Sequence, residues 1–120
     1  MSRTALTRAA RLGTVAVVIV ITWFAFTPTV PAGIDRVWDK FQHVAAFLAL
    51  TALLDLALPE RGPGFKIALA LAYGVLIEAV QSLLPWRDAS LRDLLADLVG
   101  IAMHFLILRP LVTGLWRSRS

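Results

Sequence analysis

Four apolar runs, Leu12–Phe26, Val44–Leu58, Ile67–Leu84 and one from near Ser90 to about Leu108, are separated by segments rich in proline, glycine and charge. The third and fourth are close to the ~20 residues a helix needs to cross the hydrocarbon core of a bilayer, and the first is ambiguous in length between a span and a signal-peptide core. None shows the period-2 alternation of a membrane strand. The predicted fold class is therefore all-α, an integral membrane bundle of four transmembrane helices at about 12–27, 41–58, 66–84 and 91–112. The 120 residues suit one domain, 1–120. Of these, 58% are hydrophobic and 17% charged, against roughly 25% charged in an average soluble domain. The absence of cysteine excludes disulfides and thiolate metal sites.

The net charge of +4 marks the loops of a membrane chain and predicts no nucleic-acid partner. Arg3, Arg8 and Arg11 precede the first run, which reads as a retained anchor with its N-terminus inside. The segment Thr27–Gly33 holds two prolines and no A-x-A pattern, which disfavours a signal-peptide cleavage site. With both termini cytoplasmic, the inner side carries Arg3, Arg8, Arg11, Arg61, Lys66, Arg109, Arg117 and Arg119, eight of the twelve basic residues. The outer loops carry Arg36, Lys40, Arg87 and Arg92, balanced by Asp35, Asp39, Asp88 and Asp93. That distribution obeys the positive-inside rule and predicts a multi-pass protein of the inner (cytoplasmic) membrane. Trp23, Trp38 and Trp86 are expected at the outer interface and Trp116 at the inner one.

Both outer loops carry polar clusters. Asp39 and His43 stand four residues apart at the start of the second helix. A carboxylate there raises the basicity of the imidazole and fixes its tautomer; the plainer reading is a dipole-favouring acid with an interfacial histidine bonded to it. Gly74, Glu78 and Gln81 share one face of the third helix. Glu78 lies seven residues before Pro85, roughly 10 Å below the outer end, where a carboxylate must be paired or neutral. Lys40, Arg87 and Arg92 can reach it, or a protonated Glu78 bonds Gln81 in a structural network.

Ser90-x-x-Asp93 reads as the cap of the fourth helix, and Asp93, Asp97, Gly100 and His104 follow as one stripe facing the bundle interior. Asp93, Asp97, Glu78 and His43 include groups of the kind that ligate divalent cations, but no strong motif such as H-E-x-x-H is present; no metal and no cofactor are predicted. Asp55 is expected at the inner interface near Arg61 or Lys66, outside the site. No G-x-S-x-G elbow, P-loop or G-x-G-x-x-G occurs.

Three stretches, Asp39-Lys40-x-x-His43-x-x-Ala46-Phe47-x-x-Leu50, Gly74-x-x-x-Glu78-x-x-Gln81-x-x-x-Pro85-x-Arg87-x-x-Ser90-x-x-Asp93, and Gly100, resemble the VanZ-like family of small bacterial membrane proteins. The resemblance covers about residues 35–105. Two positions depart from it: the family usually has Asn where Asp97 stands and commonly a small residue where His104 stands. The resemblance implies a cell-envelope setting, with glycopeptide (teicoplanin-type) resistance as the family label.

Together these readings predict an outward-facing polar pocket that binds or acts on an envelope lipid or glycan-linked substrate. Glu78, His43 and Asp93 are the candidate catalytic groups, and Asp39, Lys40, Gln81, Arg87 and Asp97 the candidate substrate-binding groups. Whether the chain is an enzyme stays open. Two other classes compete: a proton-coupled dimeric transporter, with Glu78 titrating and the Asp97–His104 stripe as its path, and a non-catalytic structural or partner-binding module. Expected partners are membrane lipids and, in some readings, a second copy of the chain.

Overall fold

The computed structural model describes residues 2–28, 36–87 and 89–118, apart from the side chains at 36–38 and 116. The expected roles of Asp35, Asp88, Arg119 and the Trp38 and Trp116 rings lie outside that set. The described chain is all-α, in the order α1 (Arg3–Phe26), α2 (Arg36–Ala57), α3 (Pro63–Gln81), α4 (Leu91–Met103), a π turn (His104–Leu108) and α5 (Arg109–Ser118). Four stretches, Arg3–Phe26, Asp39–Ala57, Pro63–Gln81 and Leu91–Leu115, are long and apolar enough to cross a membrane. Their outward faces carry Leu12, Ile19, Leu76, Leu95 and Leu106 exposed, a surface suited to lipid and not to water.

Helices α1, α2 and α3 begin earlier than their apolar runs, and local helix-start chemistry sets the beginnings of α1 and α3. Ser2 Oγ accepts from the Ala5 amide at 3.1 Å, so α1 starts at Arg3, and Ala, Leu and Arg carry it through the polar segment. Pro63 occupies the first turn of α3, where its missing N–H costs nothing. That helix stops at Gln81: the amides of Leu83 and Leu84 turn to the carbonyls of Val80 and Gln81, a tighter coil ahead of Pro85. Ser90 caps α4, its Oγ accepting from the Asp93 amide at 3.4 Å.

The last helix runs through Pro110 to Ser118, beyond the expected end near 112. A proline inside an α-helix lacks a donor and crowds the carbonyl four residues back. The π turn just before it, in which the Arg109 amide bonds the His104 carbonyl, widens the helix at that place.

Helix α2 is central, packed between α4 and α1, with α3 against both α2 and α4. Phe47, Leu50, Ala70, Ile77 and Ile101 form the buried core across the middle of the bundle. Gly100 permits the close crossing of α2 and α4: a Cβ there would stand 2.5 Å from the Val44 carbonyl oxygen and 2.9 Å from the Leu48 nitrogen. Tyr73 ties α3 to α1, its hydroxyl 2.7 Å from Thr22 Oγ1 and 3.1 Å from the Val18 carbonyl.

Candidate functional site

The antiparallel order brings the N-termini of α2 and α4 and the C-termini of α1 and α3 to one end. There α2 supplies Asp39, Lys40 and His43, and α4 supplies Asp93 and Asp97. Lys40 Nζ lies between two carboxylates, 3.3 Å from Asp39 Oδ2 and in a close ion pair with Asp93 Oδ1. His43 Nδ1 is 2.9 Å from Asp97 Oδ1, and its Nε2 is 3.9 Å from Asp93 Oδ1. Asp93 and Asp97 are buried, Asp97 to 1% exposure. Burial at that level requires partners for both carboxylates, and the two helices supply them reciprocally.

The imidazole's hydrogen-bond partner is thus Asp97 and not Asp39, one turn earlier on its own helix. Asp39 is spent instead on Lys40. An ionised Asp97 can only accept; in that state Nδ1 carries the shared proton, and a neutral ring keeps its Nε2 lone pair. Gly74 makes room for this pair: a Cβ there would lie 3.1 Å from Asp97 Oδ2.

Glu78 enters from α3. Its Oε2 accepts from the Ser90 amide at 3.1 Å, so it braces the first turn of α4 and does not bond Gln81. It stands within electrostatic reach of Asp93, His43 and Asp97. Its Oε1 is buried with no hydrogen-bond partner among the described residues. The cluster therefore gathers four carboxylates, Asp39, Glu78, Asp93 and Asp97, against one ammonium and one imidazole.

Gln81 and Arg87 lie at the same end but spend their donors on the backbone of α1. Gln81 Nε2 donates to the Ala25 carbonyl at 2.9 Å, Arg87 Nη2 to the Phe24 carbonyl and, at 2.9 Å, to that of Thr27. Trp86 Nε1 donates to the Phe26 carbonyl at 3.1 Å. These are the last carbonyls of a helix, which have no partner inside it. Gln81 Oε1 and Arg87 Nε remain buried without partners among the described residues.

His104, read as the deep end of the Asp93–Asp97 stripe, belongs elsewhere. Its Nε2 is 2.9 Å from Asp55 Oδ2 at the opposite end of the bundle. The same carboxylate takes Lys66 Nζ at 2.6 Å and Arg109 Nε at 3.3 Å, and Lys66 also donates to the Asp55 carbonyl at 3.1 Å. Of these contacts only Asp55–Lys66 was within the expectation from sequence. The available signal for the rest was that Asp55 is the single acid in its apolar run, so one carboxylate had to answer the bases near it.

Neither a protein-family model, nor a curated protein, nor a solved structure matches the chain.

Proposed function

We propose that this chain is a VanZ-like protein of the cytoplasmic membrane, with both termini inside and the Lys40 end facing outward. There its polar site engages the headgroup of an envelope lipid or glycan-linked substrate. The carrying observation is convergence: Lys40 and Asp93, 53 positions apart, and His43 and Asp97, 54 apart, meet beside Glu78, and most polar residues of the VanZ-like resemblance gather at that end. Buried carboxylates are costly in a bilayer setting and are kept for pairing or for work. The orientation draws on the excess of Lys and Arg at the other end.

In this reading His43, Asp93 and Glu78 orient the ligand or move its protons, and the buried Oε1 of Glu78, without a partner among the described residues, is the acceptor left for it. Gln81 and Arg87 secure α1 beside the site. Lys40 spends two of its three donors on Asp39 and Asp93 and keeps one for a ligand. The layer of Phe47, Leu50, Ala70, Ile77 and Ile101 between the two polar ends disfavours the transporter alternative, which needs a continuous polar path. The module alternative draws support from the extent of pairing at this end, and one experiment separates it. Teicoplanin tolerance of cells overproducing the chain should be lost in Glu78→Gln and His43→Ala at unchanged membrane level. Tolerance that survives both contradicts the proposal, and tolerance that falls only in step with protein level favours the module.

A further inference from the structure

The charge of the site poses a problem for an anionic headgroup. Four carboxylates face Lys40 and His43, and Arg87 is engaged on the carbonyls of α1. A phosphate entering that cluster meets repulsion unless a further cation comes with it.

The geometry points to a divalent cation held by Asp39, His43 and Asp93, of the Mn2+ or Zn2+ class that accepts both imidazole and carboxylate ligands. One ligand atom from each of the three lies within 4.8 Å of the others. Two ligands of a single ion at ~2.0–2.2 Å are at most about 4.4 Å apart, so closure requires movements of a few tenths of an ångström. The Nε2 of His43 and Oδ1 of Asp93, at 3.9 Å, already fall inside that limit.

An independent feature is the far side of the ring. A metal-bound histidine usually gives its other N–H to a carboxylate, which fixes the tautomer and leaves the ligating lone pair pointing at the ion. Asp97 stands in that place beside His43, 2.9 Å from Nδ1 and 1% exposed, and we assign it as a positioning residue. The Nζ of Lys40 sits between Asp39 and Asp93, where a cation is favoured, and is the group the ion displaces. The buried Oε1 of Glu78, at the same end, has no partner among the described residues and so no cation of its own.

Binding then exchanges a monovalent ammonium for a divalent ion and frees Lys40. Ion and lysine together supply the positive charge that an anionic headgroup needs. This last step deepens the reading under Proposed function and rests on it; the cation site itself does not.

The test uses the full chain, purified in detergent and stripped with chelator. It is titrated with Mn2+ followed by electron paramagnetic resonance and with Zn2+ followed by calorimetry. The expected result is one ion per chain for at least one of the two metals. Affinity falls at least about tenfold in His43→Ala and Asp93→Asn, and about 10–100-fold in Asp97→Asn. Lys40→Met is the second arm, because it does not depend on variants that lose a ligand: it binds more tightly than the parent, and the ion raises its melting temperature.

Absence of saturable binding by the parent chain at millimolar metal overturns the site. So does binding by Lys40→Met alone, or binding indifferent to His43 and Asp93. Loss of teicoplanin tolerance in Glu78→Gln with no cation bound by the parent overturns the cation and leaves the headgroup reading. Saturable binding with tolerance intact in Glu78→Gln and His43→Ala does the reverse.

Discussion

His43 on α2 and Asp97 on α4 meet at 2.9 Å through Nδ1 and Oδ1, with the carboxylate 1% exposed. This contact joins the two helices that pack most closely, and it sets the direction of the imidazole's other nitrogen. Asp97→Asn keeps the shape and a hydrogen-bonding group but removes the charge, so the fold persists. Asp97→Ala leaves the imidazole without its partner and opens a gap. Stability should fall by about 1–2 kcal/mol in the alanine variant, the range of interhelical polar contacts in membranes, and by less in the asparagine one. Unfolding in mixed detergent gives the two values; equal losses would contradict this account.

The crossing of α2 and α4 depends on Gly100. An alanine methyl there meets backbone, the Val44 carbonyl oxygen at 2.5 Å, and backbone cannot step aside without moving a helix. At Gly74 the methyl meets side chains, Asp97 Oδ2 at 3.1 Å and Phe47 Cε1 at 3.3 Å, which have more freedom to adjust. Gly100→Ala should cost about 1–3 kcal/mol, as overpacking commonly does, and Gly74→Ala less. Melting temperatures of the two purified variants rank them directly.

At the opposite end, Lys66 is 2% exposed and relies on Asp55 for its counter-charge. Asp55→Asn strands a buried ammonium, and breaking such a pair from one side costs about 3–5 kcal/mol. Removing both charges, in Asp55→Asn with Lys66→Met, should recover part of that loss. Folded yield after membrane extraction reads the difference; a double variant no better than the single one would mean that Lys66 does not rely on Asp55.

Arg87 holds the end of α1 by donating to the Phe24 and Thr27 carbonyls. Arg87→Ala removes a charged donor, worth about 1.5–3 kcal/mol when such bonds are well formed. The loss is local: amide exchange over Trp23–Thr27 should speed up while α2 and α4 stay protected. Uniform acceleration across all helices would show that Arg87 supports the whole bundle and not α1 alone.

The helices and the meeting of the two polar clusters were legible in the sequence, the first from apolar runs and breakers, the second from the asymmetry of Lys and Arg. The partners within the clusters were not. Which carboxylate His43 takes depends on how closely α4 approaches α2, a distance set by the Gly100 contact. Gln81 and Arg87 bond to backbone carbonyls, acceptors that every residue owns and that no side-chain pattern reveals. His104 follows the Asp93–Asp97 stripe in helical phase, but the stripe is long enough to reach the other end of the bundle. There Asp55 is the nearest opposite charge, and the π turn demanded by Pro110 begins at that histidine.

The proposed headgroup reading puts an envelope lipid or glycan-linked species at the polar end. The most direct measurement places a photo-crosslinking amino acid at Gln42, exposed beside His43, and in a second chain at Val112, exposed near the other end. Adducts formed in intact cells are then identified by mass spectrometry. The headgroup reading requires a headgroup-bearing envelope lipid or glycan-linked species at Gln42, absent at Val112 and lost from Gln42 when Glu78→Gln is added. The same bulk phospholipids at both positions, unchanged by Glu78→Gln, would contradict it.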